Sequence, residues 1–84
     1  MDQHIDIPKC LRAFASILEE GEKREDGYHL EGIIAQSLDD GYTVVLRNRQ
    51  CCLSIYFHNK FGVESPSDGD TDAFIKHLYR IAEQ

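Results

Sequence analysis

Between Tyr28 and His58 apolar residues alternate with polar ones on both sides of the turn Asp39-Asp40-Gly41. That period of two restricts this stretch to antiparallel strands with one apolar face. Leu30, Ile34 and Leu38 precede the turn; Tyr42, Val44 and Leu46 follow it; Leu53, Ile55 and Phe57 continue the pattern. Strands are expected over residues 28–38, 42–48 and 51–58, forming a three-stranded meander. If Asp39-Asp40-Gly41 is a three-residue loop with Gly41 left-handed, Leu38 opposes Tyr42, Gln36 opposes Val44 and Ile34 opposes Leu46. A two-residue turn at Asp40-Gly41 would set Ile34 against Arg47. The first register is preferred because it keeps one face apolar. The second hairpin turns at Asn48-Arg49 or at Arg49-Gln50, and either choice leaves Val44 and Leu46 on the face of Leu53 and Ile55.

Two helical stripes flank the meander. Ile7, Cys10, Leu11, Phe14, Ile17 and Leu18 predict a helix over residues 7–20, with Asp6 or Ile7 at the cap, Pro8 in the first turn and Gly21 as the stop. Phe74, Ile75, Leu78, Ile81 and Ala82 predict a second helix over 71–83, capped by Asp70 or Thr71. Residues 22–27, which carry both signs of charge, read as a solvated connection, and residues 59–70 as a loop in which Phe61 or Val63 tucks against the core. The expected fold is α+β, a single two-layer α-β-β-β-α domain over 1–84 with both helices on one face of the sheet. Leu11, Phe14, Leu18, Phe74, Leu78 and Ile81 would then meet Leu30, Ile34, Val44, Leu46, Leu53, Ile55 and Phe57.

Composition narrows the function classes. With 84 residues there is room for one core, and 42% hydrophobic with 29% charged residues is the balance of a globular chain. No apolar run approaches the roughly 20 residues of a membrane span. The first residues lack the basic start and apolar stretch of a signal peptide, so a cytoplasmic setting is expected. Three cysteines, two of them adjacent at Cys51 and Cys52, argue against a disulfide framework. The net charge of -6 disfavours nucleic acid and anionic membranes as partners and favours another protein.

No motif carries a reaction. The element order is shared with double-stranded RNA-binding domains, but here the second helix opens with Asp70, Thr71 and Asp72 and the first hairpin tip carries Asp39 and Asp40, the wrong sign for phosphates. Asp68-Gly69-Asp70-Thr71-Asp72 begins like a calcium loop and then fails, with Ala73 where glycine is needed and Tyr79 where a bidentate glutamate is needed. Helix capping explains it better. The histidines show no paired ligand spacing, and His58 would lie roughly 20 Å along the strand from Cys52. No catalytic residue, metal or cofactor is expected. Cys52 would sit beside Arg47, whose charge could lower its pKa, with no histidine base placed next to it.

The other face of the sheet is the more informative surface. Ile33, Ala35, Ser37, Thr43, Val45, Arg47, Cys52, Ser54 and Tyr56 would fill it, small and apolar where a solvated face normally carries charge. An ordinary half-polar sheet surface explains the pattern as well as a binding site does. Two such faces, or two edge strands, could pair in a symmetric homodimer.

Gly41-Tyr42-Thr43 opening a strand, Phe57-His58-Asn59-Lys60-Phe61 closing the meander and Asp72-Ala73-Phe74 beginning the last helix resemble a family of short bacterial proteins of unknown function. The similarity covers most of the chain, and the Cys51-Cys52 pair is outside the pattern. The resemblance implies a bacterial cytosolic setting and brings no activity, cofactor or catalytic residue. The leading expectation is therefore a protein-binding or adaptor module that uses Ile33, Val45, Arg47, Cys52 and Tyr56 on the open face or the loop His58-Asn59-Lys60. The alternative is a small-ligand binder or enzyme built on Arg47, Cys52 and Tyr56; RNA binding, by topology alone, is third.

Overall fold

A computed structural model describes residues 5–38, 41, 43–56 and 60–83. Helix α1 (Ile7–Glu20) is followed by strands β1 (Glu22–Arg24), β2 (Gly27–Leu30), β3 (Ile33–Ser37), β4 (Val44–Arg47), β5 (Cys52–Tyr56) and β6 (Lys60–Glu64), then helix α2 (Asp68–Ala82). All neighbouring strands pair antiparallel in chain order, so the described residues form one six-stranded meander. The α+β class holds; the three-stranded count is a coarser version of what is present.

The segment expected as one strand over 28–38 is a hairpin. Glu31 and Gly32 have φ of 52° and 81°, the two positive values that a two-residue type I′ turn requires. The turn reverses the chain and resets its parity. In one continuous strand Leu30 and Ile34 would share a face. Across the turn Leu30 instead pairs with Ile33 and Tyr28 with Ala35. Ile33 and Ala35 are completely buried, while Ile34 moves to the opposite face. The β3–β4 register follows suit, with Ile34 opposite Arg47 and Ala35 opposite Leu46. This corrects the preferred register: the pairing that a two-residue turn predicted is the one present. Gly41 is left-handed as expected, with φ 76°, but the ladder closes with the Leu38 N–H donating to the Thr43 carbonyl. Asp39, Asp40, Tyr42 and Phe57 lie outside the described residues.

The second hairpin turns through Arg49 and Gln50. Asn48 and Cys51 close it by a backbone hydrogen bond, and the Asn48 side-chain oxygen accepts from the N–H groups of Gln50 and Cys51. Val44 opposes Ile55 and Leu46 opposes Leu53, so these four residues share a face as anticipated.

Two strands replace expected connections. The exposed Glu22-Lys23-Arg24 pairs with β2 by backbone alone, and Gly27 next to it has φ 128°. A Cβ at Gly27 would stand 2.4 Å from the Ala35 carbonyl oxygen, so only glycine fits that approach. Lys60–Glu64 pairs with β5, and Val63 does pack against the core.

Both helices share a single core with the sheet face that carries Ile33, Ala35, Leu46, Leu53 and Ile55. Helix α1 occupies the expected span, with Asp6 as its N-cap accepting from Lys9 N–H, and it buries Ile7, Cys10, Ala13, Phe14 and Ile17. Leu11 and Leu18 are exposed, a correction to the expected core, because the buried stripe centres on Cys10, Phe14 and Ile17 and leaves both leucines one position round the helix. Helix α2 begins earlier than expected, at Asp68. Its N-cap is Ser67, whose hydroxyl oxygen accepts from Asp70 N–H and whose O–H donates to the Asp70 carboxylate. The acidic run is thus a reciprocal capping arrangement. The start of α1 meets the end of α2: Asp6 N–H donates to the Tyr79 hydroxyl, and Lys9 pairs with Glu83 at 2.9 Å.

The register has a direct test. Ile33→Glu should cost at least ~4 kcal/mol, because it places an unpaired carboxylate in the core. Ile34→Glu should cost about 1 kcal/mol or less, since it sits between His29 and Arg47 on the other face. Urea denaturation of both variants checks this; the reverse order of stabilities would refute the register.

Candidate binding face

Among the described residues no helix covers the second face of the sheet, and strand register arranges its side chains in rows. One row runs Glu22, His29, Ile34, Arg47, Cys52, Glu64, each opposite the next on the neighbouring strand. The next row contains Gln36, Val45, Ser54 and Gly62. Beyond it Tyr56 opposes Lys60, and Leu38, 40% exposed, continues the alternation of β3.

Of the residues the sequence singles out, Val45, Arg47, Cys52, Tyr56 and Lys60 do share this face. Ile33 does not, because the Glu31-Gly32 turn sends it into the core; Ile34 takes its place. Ala35 is likewise a core residue rather than a face residue. His58 and Asn59 lie outside the described residues. Val45 is only 7% exposed. Tyr56 is 45% exposed and reaches across β6: a Cβ at Gly62 would stand 3.6 Å from its hydroxyl oxygen.

Asp26, His29 and Arg47 form a paired charge cluster on this face. Asp26, in the β1–β2 turn, holds His29 Nε2 at 2.6 Å from one carboxylate oxygen and Arg47 at 3.6 Å from the other. Through it the turn spans Ile34, which lies between His29 and Arg47 in the row. The His29 hydrogen bond, with a smaller contribution from the Arg47 charge, holds the Asp26 carboxyl below its ordinary range. Sequence reasoning missed the Asp26–His29 pair because it placed Asp26 in the solvated connection of residues 22–27; the Asp-Gly pair at Asp26-Gly27 was the available turn signal.

The cysteines differ by environment. Cys10 and Cys51 are buried and Cys52 half-buried. Burial pushes the Cys10 thiol up to about 11, and Cys51 donates to the Asp70 carbonyl at 3.4 Å. Cys52 stands opposite Arg47, whose guanidinium also faces Asp26. His29 is three strands away from Cys52, roughly 14 Å, too far for a nucleophile–base pair. Among the described residues no group of three histidine, cysteine or acidic side chains is placed to hold a metal ion.

A family model described as protein of unknown function (DUF3081) matches residues 5–84. The chain belongs to this family. No similarity to a curated protein or to a solved structure is detected. Membership of DUF3081 agrees with the resemblance read from the strand and helix motifs, and it attaches no activity to any residue. Among the described residues of this DUF3081 chain, no helix is long and apolar enough to cross a membrane.

One further concavity lies at the end of the sheet. A cleft of about 530 Å³ is lined by Glu31, Gly32, Ile33, Asn48, Arg49, Gln50 and His77. Glu31 reaches His77 on α2 at 3.2 Å, clamping the β2–β3 turn to the helix. Neither residue stands out in the DUF3081 sequence, because 46 positions separate them.

Two outcomes follow from these environments. Iodoacetamide should label Cys52 first, at the rate of a free thiol, with Cys10 and Cys51 lagging at least tenfold; peptide mass mapping over time reads this, and a Cys52 rate well above a free cysteine would restore the nucleophile. For Asp26, the folded pKa lies below the unfolded one, near 3.8. Its contribution to stability is therefore complete above that value and lost as pH falls through the folded pKa. Asp26→Asn should flatten the acid limb of the stability profile, measured by denaturant titration between pH 2 and 6.

Proposed function

We propose that the protein is a small protein-binding module of the bacterial cytoplasm that engages its partner through the uncovered sheet face. The observation that carries this reading is the central row Gln36, Val45, Ser54 and Gly62, uncharged from β3 to β6 and flanked by Ile34, Leu38 and Tyr56. A solvated sheet face normally carries charge at its centre, whereas interface centres are depleted of it. Glu22, Arg24, Lys60 and Glu64 lie on the two edge strands, as a polar rim does, while Arg47 on β4 is held by Asp26. Three unpaired thiols suit a reducing compartment.

The alternatives draw less support. An enzyme using Cys52 as its nucleophile would need a base near it, and His29 is roughly 14 Å away. Nucleic-acid binding rested on an α-β-β-β-α order, and six strands remove that likeness. The charge of -6 opposes it further.

Photo-crosslinking tests the face. A benzophenone amino acid replacing Tyr56 should give a protein adduct in cells, whereas the same group replacing Ala15, exposed on α1, should give none. Absence of an adduct at position 56, or equal yields at both positions, would overturn the reading.

A further inference from the structure

The two edges of the sheet are unlike. Strand β1 has three residues, all charged and all exposed, the short, charged form that blocks pairing with another chain. Strand β6 has five, Lys60-Phe61-Gly62-Val63-Glu64, in unbroken register with β5 and, among the described residues, with no strand on its outer side. Its middle is apolar. It contains neither proline nor an inward-pointing charge, and Phe61 is 37% exposed.

The order of residues in β6 is self-complementary. An antiparallel copy centred on Gly62 sets Lys60 against Glu64 and Phe61 against Val63, twice each, with glycine facing glycine on the two-fold axis. An isologous contact demands this arrangement: residues off the axis meet a different residue of the copy, and residues on it meet themselves. Lys60, Gly62 and Glu64 belong to the uncovered face, so the two ion pairs would form there. Phe61 and Val63 belong to the face carrying Leu53 and Ile55, their partners on β5, so the two apolar pairs would extend the core across the junction. Both faces of the strand therefore match their own reversed copy.

We propose that β6 is a homodimerisation edge, pairing with the β6 of a second copy to make one continuous twelve-stranded sheet. The surface is distinct from that assigned to a partner protein, since it uses the strand edge and leaves the central row bare. Five-residue strand pairing with four favourable cross-strand contacts is a small interface, at the low end of the range for specific association. The dimer is accordingly concentration-dependent, with half-association on the order of tens to hundreds of micromolar.

Sedimentation equilibrium from 5 to 500 µM in about 0.15 M salt, which screens the mutual repulsion of two chains of charge -6, should show a mass rising from 9.6 kDa towards twice that value. Lys60→Glu sets two like charges opposite each other at both ends and should weaken association about tenfold or more; Glu64→Lys should do the same. The double swap should restore it. Both residues are exposed, so the fold is expected to survive, and circular dichroism verifies that. Gly62→Cys, in a Cys52→Ser background, should form an intermolecular disulfide with oxidised glutathione, because the axis brings the two positions within the roughly 4.5–5.5 Å of a cross-strand pair. A Cβ at Gly62 meets nothing closer than 3.6 Å, so the substitution is tolerated. A monomer throughout the range, single swaps without effect, a double swap that fails to rescue, or a position 62 that does not cross-link would each overturn the proposal. Face-to-face stacking would hold those positions about 10 Å apart, too far for the bond. A monomer that still gives a Tyr56-site adduct to another protein would remove the dimer and leave the binding face standing.

Discussion

Two backbone torsions decide which side of this sheet each residue of β3 faces. Glu31 and Gly32 both adopt positive φ, a conformation easy for glycine and costly for a side chain such as glutamate, by about 1 kcal/mol or more. The hairpin they form lets Leu30 and Ile33 lie side by side on the core face. Burial of Ile33 and Ala35 under the helices offsets the strain, and the Glu31–His77 contact secures the turn to α2. Had the chain run straight through, Ile34 would have entered the core and every later pairing in β3 would have shifted by one.

With that parity set, the two helices lie over one face and seal it. Cys10, Ile17, Phe74, Leu78 and Ile81 complete a core in which Ile33, Leu46 and Leu53 are fully buried. Among the described residues, the same choice leaves the second face without a layer. Asp26 bridges His29 and Arg47 there, and the neighbouring row of Gln36, Val45, Ser54 and Gly62 is uncharged. No third element among the described residues covers that surface, so its chemistry is set by what the alternate positions of the strands carry.

Much of this architecture is legible in the chain. Residues 7–20 are a helix because Ile7, Cys10, Phe14 and Ile17 repeat at helical spacing between Asp6 and Gly21, and the structure returns that span. Val44, Leu46, Leu53 and Ile55 share a face because only one parity makes β4 and β5 amphipathic. Less legible was the turn at Glu31-Gly32, since glutamate is a rare first residue for a left-handed pair and the flanking Leu30 and Ile34 fit an uninterrupted strand equally well. The edge strands were missed for a related reason. Glu22-Lys23-Arg24 has no apolar residue to alternate, and Gly62 reads as a breaker in β6. Of the candidate face, Val45, Arg47, Cys52 and Tyr56 lie where the alternation puts them and Ile34 takes the place of Ile33, while Lys60, read as part of a loop, joins the face as the first residue of β6.

What the amino-acid order determined by itself is the presence of both helices and the span of α1, the antiparallel character of the middle of the chain and the apolar side of β4 and β5. Each depends on side-chain periodicity, which is written locally. Tertiary structure decided the parity of β3, the recruitment of β1 and β6, and hence which residues form the bare face and the outer edge. Those features depend on backbone hydrogen bonds to a neighbouring strand, and every residue offers the same N–H and C=O groups whatever its side chain.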